Sequence, residues 1–139
     1  MFHKILLAVD GSVHSDLAAD YAGKLATVFK AVLLIVHAYP QTSDLLGYDD
    51  FEKLVARRKS TGQIVLKNVR ERLASSSVTV HEDLLEGPEA EAILAAATAQ
   101  QVDLVVMGTR GLSTIEGMLF GSISRKVAHH AHCPVLLIR

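Results

Sequence analysis

Several things are scarce in this chain, and each scarcity excludes a class of protein. Among its 139 residues there is one cysteine, Cys133, so no disulfide can form within the chain and a reducing, cytoplasmic setting is expected. Long hydrophobic runs are absent. The longest, such as residues 31–36, fall far short of the roughly 20 apolar residues that span a bilayer, so no membrane partner is expected. Charge of one sign is lacking too. Fourteen Lys and Arg against fifteen Asp and Glu leave a net charge of −1, without the basic footprint of a nucleic-acid binder. The opening Met1-Phe2-His3-Lys4 runs directly into an apolar stretch, not into the basic, apolar and small-residue layout of a signal peptide.

Catalytic signatures are scarce as well. No G-x-x-x-x-G-K-[S/T] occurs, because Gly23-Lys24 is followed by Leu25 within a helical pattern. Without that lysine and a committed metal carboxylate, fast phosphoryl transfer has little support. No G-x-G-x-x-G follows the first strand, which argues against a dinucleotide, and no G-x-S-x-G elbow suggests a serine hydrolase. His129, His130, His132 and Cys133 invite a metal reading. Adjacent helical histidines are expected to diverge, however, and His132-Cys133-Pro134 reads as a loop, so no metal is expected there.

What is present is a regular alternation of strands and helices. Half of the residues are apolar and 21% are charged, as in a globular protein, and the length suits one domain over residues 1–139. Residues 5–9 form an apolar run closed by Asp10-Gly11, and Ser12 or Ser15 can cap the helix that follows. In that helix Leu17, Tyr21, Leu25 and Val28 recur at helical spacing. Residues 32–36 read as a second strand and residues 39–50 as a loop. A long helix then buries Phe51, Leu54, Val55, Gly62, Val65, Leu66, Val69 and Leu73, and shows Lys53, Arg57, Arg58, Lys59 and Lys67 to solvent. Residues 78–85 alternate partly, as an outer strand does. Gly87-Pro88 opens a helix with Glu89 and Glu91 in its first turn, and with Ile93, Leu94 and Ala97 facing inward. Strand 102–107, a glycine loop, a short helix from Ser122 and a last strand at 134–138 complete the chain. Strands this apolar need cover on both faces, which predicts an α/β fold with a parallel sheet between helices.

The most informative pattern is Gly108-Thr109-Arg110-Gly111, then nine residues, then Gly121-Ser122. Glycine permits close approach to the backbone, and a helix start presents free N–H groups with partial positive charge. Together they suit phosphate, and so a nucleotide. Ligands of such sheets bind beyond the carboxyl ends of the strands, where the strand order reverses. If the first and fourth strands are neighbours, Asp10 and Gly108 converge on one crevice. Asp10 can accept ribose hydroxyls or cap the following helix, and both roles can coexist. Ser122 and Ser124 can donate hydroxyls to phosphate or serve as caps. Arg110 can pair with a phosphate oxygen or face solvent.

Taken together, Ile5–Ser12 (I-L-L-A-V-D-G-S), Val36-His37-Ala38, Val106-Met107-Gly108-Thr109-Arg110-Gly111, Gly121-Ser122-Ile123-Ser124 and Cys133-Pro134-Val135-Leu136 resemble the universal stress protein family, in its ATP-binding branch. The resemblance covers essentially the whole chain in order. It implies a single doubly wound, Rossmann-like domain with strand order 3-2-1-4-5. It implies ATP, with Mg2+ held by the phosphates, across the ends of the first and fourth strands. Adenine and ribose would lie near Ala8, Val9 and Asp10, with the backbone of Ala38 on the base and Met107 and Gly108 on the ribose side. Gly111, Gly121, Ser122, Ile123 and Ser124 would hold the phosphates, with Arg110 beside them. It also implies a homodimer through the last strand, Val135–Ile138, whose apolar edge would otherwise be an aggregation hazard.

The expected function is a nucleotide-dependent stress or regulatory switch. The alternative is a slow ATPase or autokinase that modifies a hydroxyl at Thr109, Ser113, Thr114, Ser122 or Ser124. A phosphoacceptor receiver domain would need an acidic pair after the first strand, where Asp10 stands alone before Gly11.

Overall fold

The structure is a computed structural model and describes residues 1–43, 47–111, 117 and 119–139. Strands and helices alternate as β1 (Lys4–Ala8), α1 (Val13–Phe29), β2 (Val32–Tyr39), α2 (Tyr48–Arg72), β3 (Val80–Glu86), α3 (Glu89–Ala99), β4 (Leu104–Gly108), α4 (Ser122–His130) and β5 (Val135–Ile138). They build one parallel sheet of order β3-β2-β1-β4-β5, the order the resemblance implies. Alternate residues of each central strand face opposite layers. Ile5, Leu7 and Val9 pack with α1 and α2, whereas Leu6 and Ala8 pack with α3 and α4. Burial on both sides explains why β1, β2 and β4 read as unbroken apolar runs. Among the described residues no helix is long and apolar enough to cross a membrane.

Three expectations change. Strand β2 continues to Tyr39, because its pairing with β3 carries on through His37↔Leu84, Ala38↔Leu85 and Tyr39↔Glu86. Helix α2 starts at Tyr48, with Asp49 and Asp50 favourably placed in its first turn, so the connection expected over 39–50 is shorter at both ends. Of the residues its spacing suggests, helix α1 turns only Leu25 toward the core, half-buried. Tyr21 and Val28 are 53% and 73% exposed and Leu17 is also exposed, while Ser15, Ala18, Ala19, Ala22, Gly23 and Ala26 are buried. The small face wins because the helix backbone lies against the strand ends. A Cβ added to Gly108 would stand 2.7 Å from His14 Cβ and 2.9 Å from its carbonyl carbon, a separation real structures do not tolerate.

The long helix keeps its expected inner face, with Gly62, Leu66, Val69 and Leu73 buried. One of its basic residues is not simply solvated. Arg58 donates to the carbonyls of Pro40 and Gln41, each at 3.0 Å, and to Thr42 Oγ1 at 2.9 Å, pinning the segment after β2.

Candidate functional site

The strand order reverses between β1 and β4. The chain runs from β1 outward to β3, then crosses back to β4 and β5 on the other side. The register Leu7↔Val106 brings the ends of these two strands out together, with Asp10 beyond one and Thr109 beyond the other. Ser12 caps α1 by accepting the Ser15 N–H at 3.2 Å. Asp10 Oδ1 accepts the Ser12 N–H at 2.9 Å, and Ser15 Oγ accepts the Asp10 N–H at 3.4 Å. These bonds fix the β1–α1 turn, helped by Gly11, whose φ of +86° suits glycine.

The two halves of the glycine pattern are tied together at Thr109. Its N–H donates to Ile138 at the end of β5, at 2.8 Å, and its carbonyl accepts the Gly121 N–H at 2.6 Å. The intervening excursion is therefore closed at its base. Gly121 occupies the N-cap of α4 and supplies no side-chain cap. The first bond of the α4 ladder runs from the Arg125 N–H to the Gly121 carbonyl, at 3.1 Å. The N–H groups of Ser122, Ile123 and Ser124 lie ahead of that ladder and carry the positive end of the helix.

The result is one open cleft holding about 590 Å3 of empty space, its mouth included. All twelve residues singled out from the sequence line it. Ala8, Val9 and Asp10 come from the end of β1, Ala38 from β2, and Met107, Gly108, Arg110 and Gly111 from the end of β4. Gly121, Ser122, Ile123 and Ser124 come from the start of α4. A Cβ added to Gly111 would collide with the Asp10 carboxylate, so this glycine leaves the carboxylate its room.

Two details differ from expectation. Ser124 Oγ donates to the Thr109 carbonyl at 2.7 Å and lies 3.1 Å from the Gly121 carbonyl. Its hydroxyl proton therefore braces the loop, and what Ser124 offers an anion is its backbone N–H. The rings of His129 and His130 do not diverge; their centroids lie 4.7 Å apart in an edge-on contact. Ser113 and Thr114 lie outside the described residues.

A model of the universal stress protein family matches residues 1–139. The chain belongs to the universal stress protein family. A curated universal stress protein of Thermus aquaticus, encoded in the 3′ region of a QAH/OAS sulfhydrylase gene, is 45% identical to it over the full length of both chains. Among solved structures, UspA of Lactobacillus plantarum shares the fold with a TM-score of 0.91 at 22% identity, over 99% of this chain and 98% of its own. A universal stress protein solved in complex with cAMP is 29% identical, with a TM-score of 0.77 over 99% of this chain and 97% of its own.

As a member of this family the chain adds three residues to its cleft that the sequence reading missed. Ser15 is hidden in its cap role, whereas Glu89 and Ile93 come from the first turns of α3. Ile93 had the signal of a core residue, being 5% exposed, and nothing in its spacing marks the wall of a cleft. Cys133 stands apart from the cleft. Burial first, then the nearby Asp103 carboxylate, pushes its thiol above the ordinary value, away from reactive thiolate chemistry.

Proposed function

We propose that this universal stress protein binds ATP in the cleft between β1 and β4, with Mg2+ held by the phosphates, and that the nucleotide acts as a ligand switching a homodimeric cytoplasmic regulator. The observation that carries this reading is the uncapped start of α4, bonded through Thr109 to the end of β4 and facing Asp10 across one pocket. Such a helix start suits phosphate, while a carboxylate at a strand end suits ribose hydroxyls. Ala8 and Val9 would flank adenine and ribose, with the backbone of Ala38 at the base. Met107 and Gly108 would line the ribose side. Arg110, Gly111, Gly121, Ser122, Ile123 and Ser124 would hold the phosphates. The binding of cAMP by a relative of the same fold supports an adenine nucleotide. The dimer would pair Val135–Ile138, the edge strand of the sheet, with its own copy.

Denaturing the purified protein and identifying the released nucleotide by chromatography tests the binding reading. Adenine nucleotide in the supernatant is expected. Finding none, together with no calorimetric response to ATP–Mg, would end it. Sedimentation as a monomer at micromolar concentration would remove the dimer. The slow ATPase or autokinase alternative gains Ser122 as its acceptor, because this hydroxyl is exposed on the cleft wall while that of Ser124 is engaged. Steady turnover above a protein-free blank, lost in Gly121→Val, would favour that alternative.

A further inference from the structure

A second concavity adjoins the cleft and shares Arg110 with it. Its wall is formed by His14 from the first turn of α1, Thr109 and Arg110 beyond β4, Gly117 and Leu119, and Arg139 after β5. Among the described residues two buried side-chain polar atoms have no hydrogen-bond partner, His14 Nδ1 and Thr109 Oγ1. Both belong to this one wall, and neither residue lines the nucleotide cleft.

The hydrogen-bond roles are fixed by elementary chemistry. Arg110 Nη2 lies 3.2 Å from His14 Nε2. A guanidinium can only donate, so Nε2 accepts and the ring hydrogen sits on Nδ1. That leaves a buried N–H with no acceptor, an arrangement folded proteins avoid. Thr109 has its backbone fully committed, its N–H to Ile138 and its carbonyl to Gly121 and Ser124. Its hydroxyl takes no part in that bracing. Arg110 and Arg139 have no carboxylate partner within ion-pair distance among the described residues. The first turn of α1 adds the positive end of a helix. Among the described residues the acids on this side are Asp16, in that turn, and Asp10, whose carboxylate is engaged by the Ser12 N–H. Among the described residues the wall is thus rich in donors and short of acceptors.

We propose that this concavity is a second anion site, separate from the nucleotide cleft, which takes a small free oxyanion of the phosphate class. The two guanidinium groups, the His14 Nδ1–H and the Thr109 hydroxyl would supply its donors. Arg110, common to both walls, places the site directly behind the loop assigned to the nucleotide phosphates. Arg110 is shared with the nucleotide reading, whereas Arg139, His14 and Thr109 line this wall alone, so the proposal does not rest on nucleotide binding.

Inorganic phosphate, added to nucleotide-free protein and followed by nuclear magnetic resonance, tests it. Saturable shifts of the His14 ring and the Thr109 amide are expected. The apparent dissociation constant should rise about tenfold or more in Arg139→Gln and in His14→Gln, as the loss of a hydrogen bond to a charged group entails. Arg139→Gln changes an exposed side chain and keeps the test valid should His14→Gln disturb the packing against Gly108. Shifts confined to the Ser122 and Ile123 amides would assign the anion to the cleft and overturn the proposal. So would an absence of saturable shifts, or shifts that persist undiminished in both variants. A protein that binds no ATP but passes this test would sink the nucleotide reading alone.

Discussion

Helices α1 and α2 cover the same face of the sheet in opposite ways. Helix α1 buries serine, alanine and glycine and leaves Val13, Leu17, Tyr21 and Val28 outside. Helix α2 buries Leu66 and Val69 and turns a mostly charged face to water. The difference follows what lies beneath them. Helix α2 rests on β2 and β3, away from the cleft, and its large side chains fill the space between helix and sheet. Helix α1 rests on β1 and β4, whose ends form the cleft. Small residues let its backbone come close enough for Ser12 and Ser15 to bond the turn after β1 and for His14 to touch Gly108. Large residues make core; small ones let backbone atoms position a site.

Substitutions on the two helices should therefore fail differently. The largest stability loss is expected from Leu66→Ala. Leu66 is 2% exposed, and emptying its place should cost about 2–5 kcal/mol in urea unfolding. ATP affinity should persist wherever the variant is still folded. Gly108→Ala should cost less, about 1–3 kcal/mol, because the new methyl meets the side chain and backbone of His14. It should nevertheless weaken ATP binding measured by calorimetry, since α1 and the end of β4 must move apart. Equal effects of both variants on affinity would break the comparison.

The same contrast explains what could be read from the sequence. The buried strands announced themselves because both faces are covered, and α2 did so because its large residues sit on one side. In α1 most of the large residues lie on the outer side, with Leu25 and Phe29 half-buried against the core. Alanine adds little to a hydrophobic pattern, so periodicity picked out Leu17, Tyr21 and Val28, which are exposed, and was right only for Leu25. The cleft was legible where glycines and a helix start mark close backbone approach, at Gly108, Gly111 and Gly121. It was illegible at Glu89 and Ile93, which reach it from α3 through the fold alone. The direction of the Ser124 hydroxyl was also hidden, because its acceptor lies at Thr109, across a loop closed only in three dimensions.

One ion pair joins the two helices, and removing it should have a smaller effect. Arg72, at the end of α2, grips Asp20 of α1 through Nε at 2.8 Å and Nη2 at 2.9 Å. Its hydrogen bonds hold the Asp20 carboxyl below the usual carboxylate range. Both side chains are about 40% exposed, so Arg72→Ala should cost under about 1 kcal/mol, and less at high salt. The sign with pH is fixed. A lowered carboxyl stabilises fully above its unfolded value, and that contribution is lost as pH falls through the folded one. The stability gap between wild type and Arg72→Ala should be open near about pH 7 and close in strong acid, below the usual aspartate range. A gap that widens in acid would contradict the pair.

The smallest expected effect is the sharpest test of the inverted face of α1. Tyr21 is 53% exposed, and tyrosine and serine have nearly equal helix propensities. If the small residues are the buried ones, Tyr21→Ser should change unfolding stability by no more than about 0.5 kcal/mol, as surface substitutions do. Ala22→Leu, on the buried side at 0% exposure, should instead cost about 1–3 kcal/mol through overpacking against the sheet. A large loss at Tyr21 with a tolerant Ala22 would mean that α1 is rotated about its axis. That rotation would carry His14 away from Gly108 and dissolve the contact by which this helix positions the cleft.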